Sequence, residues 1–441
     1  MWPDELTIRL PAGLLRRRIV REGAWVAGGQ IASAIAAVMS IRIMTEVLAP
    51  DDFGRLTLLV GVAALALGIS ANPRLQAVIR YYPEAARESR IDALRAAGLR
   101  LVSPLVAGTA LLIAAGWLMA APRLGEPWFT GMLVAALLVI DSVRSFELVL
   151  FNAARRQRAA ALLYAADAWS RPMMAVAAVL AFGSSAEAAL AGYIAGSASV
   201  VLAMRAWMPL EGVNERDLLR DTRKSAELAT AIRRYALPLA PLAVFGWLSG
   251  MGDRYVIAGL LNLHDAGLYA AAYGLASRPF LMLSGVVELT MRPVFQNAVA
   301  SKDKSAAARV KTTWLLTTGL GSAFGVFCFI LFGDWVGRLL LAEQYRSATA
   351  LMPPIALGYA IYVVSSVFSR FCYIFDDTKA VLYLTVAGAV IGILVMVPAI
   401  IFGGLFGASA AVAVRFGMEM VLSIPLARRA ERRFTSLRAD G

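Results

Sequence analysis

Histidine, cysteine and charge are all scarce in this chain. Its 441 residues hold one His, two Cys and 17% Asp, Glu, Lys and Arg, against about 25% charged residues in an average soluble domain. With His264 alone, no histidine-based metal site or catalytic triad can form within the apolar part of the chain, and no metal is expected. Cys328 and Cys372 both lie in apolar runs, where a thiol acts as a small hydrophobe, so no disulfide framework is implied. A Walker-type Gly-x-x-x-x-Gly-Lys-Ser/Thr is also missing, which excludes ATP hydrolysis by that mechanism and leaves no cofactor implied. What abounds is apolar: 59% of residues are hydrophobic, close to what twelve spans of roughly 22 residues require.

Apolar runs near 23–48, 54–80, 96–120, 128–153, 161–183 and 187–208, and again near 235–261, 267–297, 312–332, 349–374, 380–402 and 406–427, predict an all-α polytopic membrane protein. Helices are required because backbone amides in hydrocarbon must be satisfied within their own segment. The formal charge of +13 is unevenly placed. Connections after odd-numbered spans carry Arg123, Arg338 and Arg346, whereas the termini and the remaining loops hold clusters such as Arg16, Arg17 and Arg18, or Arg428, Arg429, Arg432 and Arg433. The positive-inside rule then places both termini in the cytoplasm. The basic clusters read as topogenic loops, and nucleic acid is not expected as a partner.

The polar stretch from Glu211 to Arg234 divides the chain into similar halves. The expected organisation is a basic leader (1–22), an N-terminal six-helix bundle (23–208), a linker (209–234), a C-terminal six-helix bundle (235–427) and a basic tail (428–441). Arg42 to Asp52-Phe-Gly54 in the first half is echoed by Arg254 to Asp265-Ala-Gly267 in the second. A second echo, Arg158 to Tyr164 against Lys379 to Tyr383, follows the fourth span of each half. Six crossings return the chain to the same face, so the pseudo-two-fold axis lies along the membrane normal, as in carriers whose two bundles rock about a central site.

The leader with Trp25 to Gln30, the Leu48-Ala-Pro-Asp-Asp-Phe-Gly54 turn and its repeat at 261–267 resemble the Wzx-type polysaccharide flippases of the multidrug/oligosaccharidyl-lipid/polysaccharide (MOP) exporter superfamily. The resemblance implies a MATE-like, V-shaped fold in a bacterial inner membrane. It further implies alternating-access movement of an undecaprenyl-diphosphate-linked O-antigen, exopolysaccharide or capsule unit to the periplasmic leaflet, with membrane lipids and a polysaccharide polymerase or chain-length complex as partners. No enzymatic activity is expected.

Ionisable groups at bilayer depth are costly and mark functional candidates. Arg42 with Glu46, Asp167 with Arg171, Glu288 with Arg292 and Arg415 with Glu419 are spaced i, i+4 and should pair. Asp141, Arg144 and Glu147 share one face of the fourth span. Arg254 is read as unsatisfied, because Asp253 points about 100° away. Arg42 and Arg254, at matching repeat positions, are therefore the expected sites for an anionic diphosphate, which the planar guanidinium suits. Arg74, Arg278 and Arg292 are further cavity candidates, and Asp141, Glu147, Asp167 and Glu288 are candidate lumen or coupling acids. Pro73 and Pro279, each beside an arginine, are hinge candidates. Tyr255, Tyr269 and Tyr273 could stack on sugar rings or simply pack. The rival readings are a cation-coupled multidrug exporter, which needs unpaired carboxylates, and a membrane polymerase or ligase, which the short external loops disfavour.

Overall fold

The computed structural model describes residues 12–207, 222–301, 303–375 and 377–437. Among them the regular structure is helical. The first half comprises α1 (Ala12–Val47), α2 (Pro50–Ser70), α3 (Asn72–Arg87), α4 (Ile91–Leu124), α5 (Thr130–Ala153), α6 (Gln157–Phe182) and α7 (Ala186–Trp207). The second comprises α8 (Thr222–Ala236), α9 (Ala240–Leu260), α10 (Leu263–Ala300), α11 (Lys304–Leu340), α12 (Met352–Ile374) and α13 (Thr378–Leu437), with 3-10 segments at Leu237–Leu239 and Glu343–Leu351. Helix α13 turns back at Gly404, whose φ of +56° suits glycine, and so supplies two antiparallel arms. With α2 and α3 forming one interrupted span, the chain makes twelve crossings in two six-span bundles, as the hydropathy predicts.

Among the described residues nine helical stretches are long and apolar enough to cross a membrane, with both arms of α13 falling in one stretch. Helices α5 and α6 stand outside that set, and they carry Asp141, Arg144, Glu147, Asp167 and Arg171. They cross as part of the first bundle because their charges are met within it. Residues 1–11 of the leader, residue 208, the first half of the linker (209–221) and the last four residues of the tail lie outside the described residues. The rest of the linker region belongs to α8, whose Ile232 is fully buried among residues of α3, α4 and α5. Asp303 caps α11: its carboxylate accepts the Ala306 N–H at 2.9 Å, and this bond, with one from the Ser305 hydroxyl, holds the carboxyl below its usual range.

The repeat is visible as contact. Gly54 and Gly267 face each other across the axis: a Cβ on Gly54 would collide with the Leu263 carbonyl, and one on Gly267 with the Pro50 carbonyl. Neighbouring Asp51 and His264 meet at 3.2 Å and are 213 residues apart, the same interval as Gly54 to Gly267. This register changes the expected match. Tyr255, not Arg254, corresponds to Arg42, and the one-residue slip rotates the side chain by about 100°. The two arginines therefore face different surroundings.

Candidate functional site

In the first bundle the acids expected to line a lumen are compensated. Asp167 accepts from Arg144 and Arg171, both at 3.1 Å, and Asp141 from Arg144 at 3.3 Å and from Arg171. Ser197 of α7 adds a 2.7 Å hydrogen bond to Asp167. It reaches because Gly192 and Gly196, spaced as Gly-x-x-x-Gly, let α7 lie directly on the α6 backbone at Ala175 and Ser170. Two carboxylates and two guanidiniums leave no net charge. Glu147 is not a member of this group, despite sharing a face with Asp141; its partners are Arg205 at 2.9 Å and Arg95 at 3.7 Å.

The second bundle holds a looser cluster on α9, α10, α12 and α13. Arg254 is buried and paired, contrary to expectation: its side chain curls back to Asp253 at 2.8 Å and to the Gly250 carbonyl at 3.0 Å. The Tyr273 ring lies 4.3 Å from the guanidinium carbon. Helical separation of adjacent residues constrains short side chains, but the long arginine stem bridges it. Asp253 also accepts the Tyr269 hydroxyl at 2.8 Å, and Tyr359 donates to Tyr273 at 2.6 Å. These tyrosines thus serve as partners of the buried ion pair rather than as an open stacking surface. Nearby, Arg415 pairs with Glu419 at 3.1 Å and donates to the Ser249 carbonyl at 2.7 Å.

The remaining candidates divide by exposure. Arg42 pairs with exposed Glu46. Arg74 donates to the Ile69 and Ser70 carbonyls, capping α2 where the second span breaks. Pro73 lies in the first turn of α3, where a missing N–H costs little, whereas Pro279 sits inside the continuous α10. Arg292 and Arg370 share Glu288, at 3.2 and 2.9 Å. Arg278 is different. It is exposed although its neighbours Ser277 and Phe280 are 3% and 1% exposed, it forms no ion pair with any described residue, and it lies within electrostatic range of Arg254 and Tyr359.

Its position follows from how the bundles meet. Along the α2 to α9 seam, Trp247 Nε1 donates to the Gly61 carbonyl at 2.7 Å and the Tyr255 hydroxyl to the Leu58 carbonyl at 2.6 Å. The rings of Tyr81 and Tyr235 continue the contact toward the end that carries the termini. Among the described residues the α1 to α10 seam is joined at the opposite end. There Ile41 lies on Gly274, and Gln344 and Tyr345 hold the Leu48 carbonyl at 3.0 and 2.9 Å. Toward the termini no hydrogen bond, ion pair or ring contact joins α10 to the described side chains of α1, Trp25 and residues 28–47, and Ile31, Ile35, Val286 and Leu289 are each at least half exposed. Arg278 is one helical turn from Gly274, on the same face of α10, immediately beyond the seal. Sequence reasoning ranked it below Arg42 and Arg254 because helix-helix contact carries no local signal.

A family profile described as polysaccharide biosynthesis protein matches residues 19–299. The chain belongs to this family. A second profile, MatE, matches residues 238–398. No curated protein sequence matches. Among solved structures, an inward-facing multidrug resistance MATE family transporter of the MOP superfamily superposes with a TM-score of 0.65 at 15% identity, covering 92% of this chain and 96% of the other. The lipid II flippase MurJ in an inward closed conformation gives 0.65 at 13% identity, covering 93% and 92%. A MOP superfamily transporter from Pyrococcus furiosus, described by a reversed polarity of its binding pocket, gives 0.64 at 13% identity, covering 95% and 96%. The fold of this family member is therefore that of MOP transporters, and the protein is a multi-pass membrane protein.

Proposed function

We propose that this protein is a lipid-linked oligosaccharide flippase, moving undecaprenyl-diphosphate-linked repeat units from the cytoplasmic to the periplasmic leaflet of a bacterial inner membrane by alternating access. Membership of the polysaccharide biosynthesis family supports the substrate class. The basic clusters at the termini end support a cytoplasmic location for that end, which makes the open α1 to α10 seam cytoplasm-facing and the Gly54 to Gly267 contact a periplasmic seal.

The observation that carries the reading is Arg278. Eleven residues from Gly267, it lies about 16 Å along α10, near the middle of a roughly 30 Å hydrocarbon core. A cation there with no carboxylate partner among the described residues attracts an anion, and its planar fork suits a diphosphate. The open seam lets a polyprenyl chain remain in lipid while the diphosphate enters beside Arg278. Arg42, Arg74, Arg254 and Arg292 act in support, by fixing helices or by tuning the field at this site. A neighbouring polymerase or chain-length complex would consume the delivered unit and draw transport forward.

The MatE match and the MATE-like fold favour a second reading, cation-coupled drug export. Against it, Asp141, Glu147, Asp167 and Glu288 are all committed to arginines. The deciding experiment deletes the gene and identifies what accumulates. Undecaprenyl-diphosphate-linked oligosaccharide on the cytoplasmic face is expected, with drug sensitivity unchanged. Normal surface polysaccharide together with drug hypersensitivity would overturn the flippase reading in favour of drug export.

A further inference from the structure

The termini end of α13 carries a groove that the transport reading does not use. It has a volume of about 630 Å³ and lies between the start of the first arm, at Lys379 and Tyr383, and the end of the second, at Leu422, Pro425, Arg429 and Arg433. A neighbouring depression of about 320 Å³ shares Pro425, Arg429 and Arg433 and adds Arg428 and Arg432. On the second arm, Leu422, Pro425, Arg429 and Arg433 follow at intervals of three or four residues and so form one stripe of the helix. The stripe changes from apolar to basic along its length, with Arg429 about 6 Å beyond Pro425. Tyr383 is 55% exposed beside the apolar part.

Among the described residues two carboxylates lie nearby, and one of them, Asp377, lines the groove itself among three cations, Lys379, Arg429 and Arg433, so that the lining stays net positive. Asp377 accepts the Ala380 N–H at 3.1 Å, and Glu431 pairs with Lys311 of α11 at 2.6 Å. Arg428, Arg429 and Lys379 are exposed and form no ion pair with any described residue. A groove with an apolar floor inside the membrane and a cationic rim at its surface matches a molecule with an acyl chain and an anionic head. From this we infer that the α13 groove binds an anionic phospholipid of the surrounding leaflet, with the headgroup phosphate between Lys379 and Arg429 and an acyl chain along Tyr383, Leu422 and Pro425. The site would anchor the second bundle to that leaflet while the bundles move. This inference rests on the membrane placement of the fold and not on which molecule is transported.

The test uses the full-length protein, purified and delipidated, with bound lipid read by native mass spectrometry against added phosphatidylglycerol, phosphatidylcholine and inorganic phosphate. Phosphatidylglycerol should be retained at least tenfold better than phosphatidylcholine. The double substitution Lys379→Gln, Arg429→Gln should weaken that retention by roughly 25-fold, about fivefold for each cation removed near an anionic headgroup. Equal retention of the two lipids, or unchanged retention in the variant, would overturn the assignment. Inorganic phosphate that displaces phosphatidylglycerol at equal concentration would also overturn it, since the acyl floor would then contribute nothing. Should the variant not fold, a photoreactive phosphatidylglycerol on the wild-type protein decides: labelling within 379–433 supports the site, and labelling confined elsewhere refutes it. None of these measurements involves transport, so their failure leaves the proposed function standing.

Discussion

The two seams between the bundles are repeats of one another, yet among the described residues one is closed along its length and the other is joined at one end. At the 213-residue register shown by the Asp51 to His264 contact, Trp247 and Tyr255 on α9 correspond to Ala34 and Arg42 on α1. The aromatic pair donates hydrogen bonds into α2 backbone carbonyls, whereas Ala34 has no donor and Arg42 turns to Glu46. The register also aligns Leu65 of α2 with Arg278 of α10. A leucine can be buried in a closing seam, while an unpaired arginine resists it because desolvating the charge is costly. These three differences thus separate the closed seam from the one joined at a single end.

The largest effect on this comparison should come from the contact that both seams share. Gly267→Val drives a side chain into the Pro50 carbonyl; transport should be abolished, and cysteines placed at the sealed end should become reactive to an impermeant thiol reagent from the periplasm. Unchanged labelling would show that the seal does not depend on this approach. Next, Arg278→Ala should reduce export at least tenfold at normal protein level, the scale of a lost charge-assisted hydrogen bond, with Arg278→Lys partly restoring it; full activity in the alanine variant would remove Arg278 from the site.

The double substitution Trp247→Phe, Tyr255→Phe removes two hydrogen bonds of about 1 kcal/mol each. It should make the closed seam resemble the open one, raising thiol accessibility along α2 several-fold while lowering transport less than Arg278→Ala does. No change in accessibility would mean that packing alone closes this side. The smallest effect is expected at the α11 cap, which belongs to neither seam. Because the folded Asp303 carboxyl is held below its usual range, its contribution is present above the ordinary aspartate value and is lost as pH falls through the lowered one. Amide exchange at Ala306 should rise in that acidic window with little change at Trp247, and a parallel rise at both would show that the seam unfolds instead.

Much of the charge chemistry was legible residue by residue. All four i, i+4 pairs form, at Arg42 and Glu46, Asp167 and Arg171, Glu288 and Arg292, and Arg415 and Glu419, because helical geometry alone brings them together. The partners that come from other helices were not legible: Arg144 for Asp167, Arg205 for Glu147 and Arg370 for Glu288. The contact of exposed His264 with Asp51 of the other bundle was not legible either. The pairing of Arg254 with Asp253 was misread because angular separation was weighed without the length of the arginine side chain.

Twelve helical crossings, the division into two halves and the short-range ion pairs follow from the sequence by itself. Each depends on apolar run length, charge position or the 1.5 Å and 100° steps of a helix, all of which act within a few residues. That Arg278 meets no hydrogen-bond or ion-pair partner among the described residues, and that one seam is joined at a single end, were decided by the tertiary structure. Those outcomes depend on where Gly54, Gly61, Gly267 and Gly274 let helices approach, and a one-residue difference in that register turns a side chain from the interface into a bundle interior. Arg254 was so buried, and Arg278 was left at the seam.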